Sequence, residues 1–104
     1  MQRVGFCFNV KEDAIAQYVE WHRKVWPEML EALRDAGWRN YSLFTREDGL
    51  VFGYLETDDF DQALAGMAER EVNARWQALM APYFQIDPGK RPDQSMERLT
   101  EVSL

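Results

Sequence analysis

Histidine and cysteine each occur once in this chain, and that scarcity rules out much of the usual enzyme chemistry. Cys7 alone cannot form an internal disulfide. One His and one Cys fall short of the about four ligands a structural zinc site takes. An all-carboxylate Mg²⁺ or Ca²⁺ site is the metal option left open, but the acidic residues lack EF-hand spacing. The six glycines stand singly, so no phosphate-cradling loop is encoded, and there is no Gly-x-Ser-x-Gly nucleophile elbow. No segment approaches the roughly 18 apolar residues of a membrane span. Met1 to Phe6 introduces neither a long apolar segment nor a cleavage site, so no signal peptide is expected and the cytoplasm is the default. Twelve Lys and Arg stand against eighteen Asp and Glu, a net charge of −6. The basic residues are dispersed, with Arg23, Lys24 and Arg34 lying among Glu20, Glu28 and Glu31. Duplex nucleic acid is therefore an unsuitable partner. Proton transfer or simple binding remains.

The chain is rich in rings, with four Trp, four Tyr and six Phe among 104 residues. That exceeds what a small core needs and leaves rings for a pocket or an interface. The length fits one domain, residues 1–104. Val4, Phe6, Phe8 and Val10 alternate with polar or small residues, as in a strand. Asn9-Val10-Lys11-Glu12 resembles a capping box. Ile15, Tyr18, Val19, His22 and Trp26 then share one helical face, and Pro27 predicts a kink or a fresh helix start. Met29, Leu30 and Leu33 continue the face to a stop at Gly37. Alternation returns from Trp38 to Thr45, with Tyr41, Leu43 and Thr45 on one side. Glu47-Asp48-Gly49 has hairpin-turn chemistry. Leu50 to Thr57 is β-rich on both faces, as a central strand would be.

Asp58 or Asp59 predicts a cap for a helix carrying Phe60, Leu64 and Met67. After a break near Glu69, Val72, Trp76, Leu79, Met80 and Tyr83 fall at helical spacing. Gln85 to Gln94, with Pro88, Gly89 and Pro92, reads as a loop, and Met96 to Leu104 as a final strand. The order β-α-β-β-α-β is the ferredoxin-like α+β arrangement, with helices on one face of an antiparallel sheet. The other face stays open, and a second copy is the simplest cover, giving a dimeric α+β barrel.

His22 is the first candidate for chemistry, because its ordinary pKa near ~6.5 suits proton exchange at neutral pH. A core histidine bonded to backbone explains the same spacing. Tyr18, at i−4 from His22, can meet it on the helix face. The hydroxyls of Tyr18 and Tyr41 suit sugar hydroxyls, though each ring also fits a core with its tip in water. Trp76 offers a flat platform for the C–H face of a pyranose, or a helix-to-sheet core contact. Cys7 has no basic neighbour and reads as packing. Glu12, Glu20, Glu28 and Glu31 read as surface groups, and none stands out as a base.

The segment Tyr18-Val19-Glu20-Trp21-His22-Arg23-Lys24-Val25-Trp26-Pro27-Glu28 matches Tyr-x-x-x-His-x-x-x-Trp-Pro-Glu of the L-rhamnose mutarotases. Asn40-Tyr41, Arg75-Trp76, Pro88 and Pro92 also match, at fitting spacing, so the chain resembles that family nearly end to end. The resemblance implies a homodimeric barrel that interconverts the α and β anomers of a 6-deoxyhexose without metal or cofactor. It makes His22 the proton donor to the ring oxygen and Tyr18, Tyr41 and Trp76 sugar-contacting residues. Two positions depart from the pattern. Gln77 stands where the family usually has a second tryptophan, and Asp87 to Pro92 replaces an Asn-Pro-Asp-Asn-Ser-Pro loop. A related sugar such as L-fucose is therefore an alternative to L-rhamnose. The base that takes the anomeric proton stays open between water, a tyrosine hydroxyl and a carboxylate. Two further readings share the expected barrel: a cofactor-free monooxygenase or haem-degrading enzyme, and a non-catalytic sugar-binding module.

Overall fold

A computed structural model describes residues 1–87 and 89–104. The alternation at the N-terminus becomes β1 (Gln2–Asn9), which buries Val4, Phe6 and Phe8 on one side. β2 (Arg39–Thr45) and β3 (Leu50–Thr57) form the hairpin, and β4 (Glu97–Leu99) is short. The sheet runs β2-β3-β1-β4 with every pairing antiparallel. This is the ferredoxin-like order. Val51, Leu55 and Thr57 of β3 are buried on the same side as Val4 and Phe6, while Phe52 and Phe44 stay exposed on the other. The central position of β3 is as expected, but only one of its faces is covered.

The helices are α1 (Ile15–His22), α2 (Pro27–Asp35), α3 (Phe60–Ala68) and α4 (Glu71–Met80). Tyr18, Met29, Ala32, Phe60, Ala63, Met67, Trp76 and Met80 pack with the buried strand residues into one core. Each fully buried large apolar side chain contributes about 1.5–3 kcal/mol. Pro27 makes a fresh start: α1 ends at His22, Trp26 is extended, and Pro27 opens α2. Trp26 therefore caps the second helix instead of continuing the face of the first. Leu30 lies 48% exposed. The Asp59 carboxylate caps α3, accepting from the Gln62 amide at 3.1 Å.

The capping box at Asn9 does not form. Asn9 stays in β1, its carbonyl accepting from the Gln85 amide at 3.1 Å, and the Val10 amide donates to the Gly49 carbonyl at 2.8 Å. With the backbone committed there, the chain turns through a 3₁₀ turn at Glu12–Ala14, which lacks a side-chain cap. Tyr83 likewise falls in a 3₁₀ turn (Ala81–Tyr83) beyond α4. The final strand covers only Glu97–Leu99 of the stretch expected to pair. Pro88 lies outside the described residues.

Candidate active site

The side chains that could carry chemistry meet where the end of α1, the middle of α4 and β2 face one cavity of about 610 Å³. His22 is the last residue of α1. Its Nδ1 lies 2.8 Å from the Tyr18 carbonyl oxygen, one helical turn back. A carbonyl only accepts, so Nδ1 carries the hydrogen and Nε2 is the nitrogen available for proton exchange. The Tyr18 ring lies against the imidazole with centroids 4.1 Å apart, and Trp76 meets it edge-to-face at 5.4 Å. Trp76 is 4% exposed and also touches Trp21 and Trp26 edge-to-face, at 6.3 and 5.0 Å. It is both core and cavity wall, so the two readings open for it in the sequence do not exclude each other.

Tyr41 reaches the same cavity by a local device of β2. Arg39 pairs with Glu56 and Ser42 with Tyr54, so β2 carries one extra residue, and Asn40 absorbs it at φ 48°. Asn tolerates that conformation better than most residues. The bulge returns Tyr41 to the helix side, where its ring lies 4.8 Å from Trp38. Asn40 also donates to the Glu56 carboxylate at 2.7 Å, fixing the bulge.

Burial pushes the Tyr41 hydroxyl pKa well above its ordinary value. Burial does the same to Tyr18, and the nearby Tyr41 adds to it. Both hydroxyls therefore stay protonated and can donate. His22 shifts down: burial disfavours the imidazolium, and the bond to the Tyr18 carbonyl offsets part of that. The neutral ring, with a lone pair on Nε2, is thus the resting form at neutral pH. The structure brings together all four residues singled out in the sequence.

The cavity has a second polar group that spacing did not reveal: Asn73, Gln77, Arg91 and Asp93. Asn73 is 2% exposed, donates to the Met67 carbonyl at 3.0 Å and accepts from Gln77 at 2.9 Å. Gln77 accepts from the Asp93 amide at 3.1 Å. The sequence signals were that Asn73 and Gln77 share the helical stripe of Trp76 and Met80, and that Gln77 and Arg91 fall at the two departures from the family pattern. Cys7 and the carboxylates Glu12, Glu20, Glu28 and Glu31 do not line the cavity. No cluster of three or more His, Cys, Asp or Glu suited to a metal occurs among the described residues.

Comparison with known proteins decides the family. The family model for L-rhamnose mutarotase matches residues 3–103. The chain belongs to the L-rhamnose mutarotase family. A curated member, the L-rhamnose mutarotase of Oceanobacillus iheyensis, is 34% identical over 103 residues, covering 98% of this chain and 96% of that one. The crystal structure of the L-rhamnose mutarotase of Formosa agariphila superposes with a TM-score of 0.82 at 24% identity, covering 100% and 98% of the two chains. An antibiotic biosynthesis monooxygenase superposes with a TM-score of 0.63 at 16% identity, covering 99% and 100%. At these identities both structures show a shared fold only. The family assignment rests on sequence, and among the described residues no helix is long and apolar enough to cross a membrane.

Proposed function

We propose that the chain is a carbohydrate isomerase that interconverts the α and β anomers of L-rhamnose or a closely related 6-deoxyhexose. His22 is its catalytic residue, Tyr18, Tyr41 and Trp76 bind the sugar, and no metal or cofactor takes part. One observation carries the reading: within a chain matched over residues 3–103 by the mutarotase family, the single histidine lines a sugar-sized cavity with Nδ1 bound to backbone. Membership of the family supports a monosaccharide as partner, a homodimer as the working unit and the cytoplasm as its place.

The geometry suits a proton shuttle by one imidazole. The anomeric hydroxyl oxygen and the ring oxygen are bonded to the same carbon, so one nitrogen can serve both. Neutral Nε2 accepts the anomeric hydroxyl proton as the bond from the anomeric carbon to the ring oxygen breaks. The imidazolium so formed returns the proton to the departing ring oxygen, leaving a free aldehyde and a neutral ring. Rotation about the adjacent C–C bond turns the other carbonyl face to the hydroxyl, and the reverse transfers close the other anomer. In this reading His22 is proton donor to the ring oxygen, and the same nitrogen serves as the base. The protonated Tyr18 and Tyr41 hydroxyls donate to sugar oxygens, and Trp76 packs against ring carbons.

Saturation-transfer NMR on L-rhamnose at equilibrium tests this. The wild-type protein speeds exchange well above buffer, and His22→Ala lowers it by roughly 10²-fold or more with its melting temperature retained. A stability loss of about 1–3 kcal/mol without a specific rate effect would return His22 to a core role. Sugar binding without faster exchange would leave a binding module.

A further inference from the structure

The cavity holds one charged pair that the mechanism above does not use. Arg91 grips Asp93 with two parallel bonds, Nε to Oδ1 at 3.2 Å and Nη2 to Oδ2 at 2.9 Å. Among the described residues Asp93 is the only carboxylate lining the cavity. The pair is neither free surface nor closed core, since the Arg91 and Asp93 side chains are 36% and 25% exposed.

The neighbours hold this pair in place. Asn73 donates to Asp93 Oδ2 at 3.4 Å, and the Asp93 amide donates to Gln77. Within the loop, the Arg91 amide donates to the Gln94 side chain at 3.1 Å, and the Ser95 hydroxyl donates to the Pro92 carbonyl at 2.6 Å. Pro92 is buried and opens a 3₁₀ turn at Pro92–Gln94. The amides of Asn73 and Gln77 are thus engaged with Met67, each other and Asp93, while the charged pair keeps capacity. Three of the five Arg91 N–H groups are unused by Asp93, and Oδ1 accepts only one of the bonds in this network. A donor fork beside a free acceptor lone pair complements two neighbouring hydroxyls on a ring. Because the guanidinium is already neutralised, the pair suits a neutral polyol better than an anionic sugar.

We infer that Arg91 and Asp93 read a pair of ring hydroxyls of the sugar and set its specificity, with Gln77 and Asn73 as positioning residues that hold the pair to α4. This rests on the mutarotase reading. It also links the two departures from the family pattern, since Gln77 accepts from the Asp93 amide and Asp93 pairs with Arg91 of the altered loop.

The test combines substrate and protein changes. Exchange rates and binding, the latter by NMR titration, are measured for L-rhamnose and analogues lacking one ring hydroxyl each, with wild type, Asp93→Asn and Arg91→Lys. For wild type, loss of a hydroxyl read by the pair lowers kcat/KM by roughly tenfold to a hundredfold. In Asp93→Asn the KM for L-rhamnose rises by a similar factor while kcat stays within a few-fold, and the penalty for that deoxygenation disappears. Arg91→Lys keeps the charge and loses the fork, and shows the same pattern more weakly. Melting curves guard against a folding defect, and a purely structural pair would leave the order of preference among analogues unchanged. An Asp93→Asn enzyme with wild-type KM and unaltered analogue preference overturns this inference alone. A wild-type protein that binds none of the sugars overturns it together with the mutarotase reading.

Discussion

The two nitrogens of His22 have separate duties, and pH distinguishes them. Nδ1 is tied to the Tyr18 carbonyl, so only Nε2 changes state, and burial lowers the imidazole pKa below its ordinary 6.5. If neutral Nε2 starts the reaction, exchange is slow while the ring is protonated. It rises with pH through a midpoint below 6.5 and stays level at neutral and mildly alkaline pH. Polarimetric rates from pH 4.5 to 8.5, corrected for buffer catalysis, measure the profile. A rate that falls through that midpoint would make the imidazolium the resting catalyst. Tyr41→Phe removes one donor and keeps the ring, so it raises KM without unfolding, by roughly tenfold for a lost neutral hydrogen bond. Residue type and helical spacing were enough to single out His22 and Tyr18, since an i, i+4 pair meets wherever its helix lies. The Asn73–Gln77–Asp93 chain was not legible, because its bonds cross 16 and 20 residues and depend on where the loop lands.

Among the elements, those written in local chemistry were legible. The β-alternation, Pro27 and the Asp59 cap each act within a few residues and came out as read. The elements that depend on distant backbone partners did not. The helix start slipped past Asn9 because the Gly49 and Gln85 segments claimed its backbone, and β4 shortened because only Glu97 to Leu99 find partners on β1. Gly49 is the hinge of the first of these effects. Its φ is 99°, and an added Cβ would collide with the Val10 carbonyl oxygen. Gly49→Ala combines a left-handed strain with a backbone clash, and is expected to destabilise by about 2 kcal/mol or more. Urea unfolding reads the loss, and a change under about 0.5 kcal/mol would mean the turn relaxes freely. Gly53 has a different reason: the Phe6 ring of β1 covers it, and a Cβ there would strike the ring. The aromatic side chain fills the space a residue on the central strand would otherwise occupy.

At the scale of the whole molecule, the sheet is finished on one side only. Phe44 is 61% exposed, Phe52 37% and Leu99 41%, and the rings of Phe44 and Phe52 lie 6.1 Å apart on the face away from the helices. A second copy laid sheet to sheet would cover the phenylalanines of both. Light scattering at micromolar concentration is therefore expected to give about twice 12.3 kDa for the wild type. Phe52→Glu puts a charge on that face, where a second copy would bury it, and is expected to shift the mass to that of a single chain. Its far-ultraviolet circular dichroism stays unchanged, because Phe52 contributes nothing to the core beneath the helices. If exchange activity falls with the mass and returns at high protein concentration, the pairing supports the cavity as well as the sheet. A wild-type mass of one chain would leave the open face without the partner its composition calls for, and the barrel would have to be abandoned.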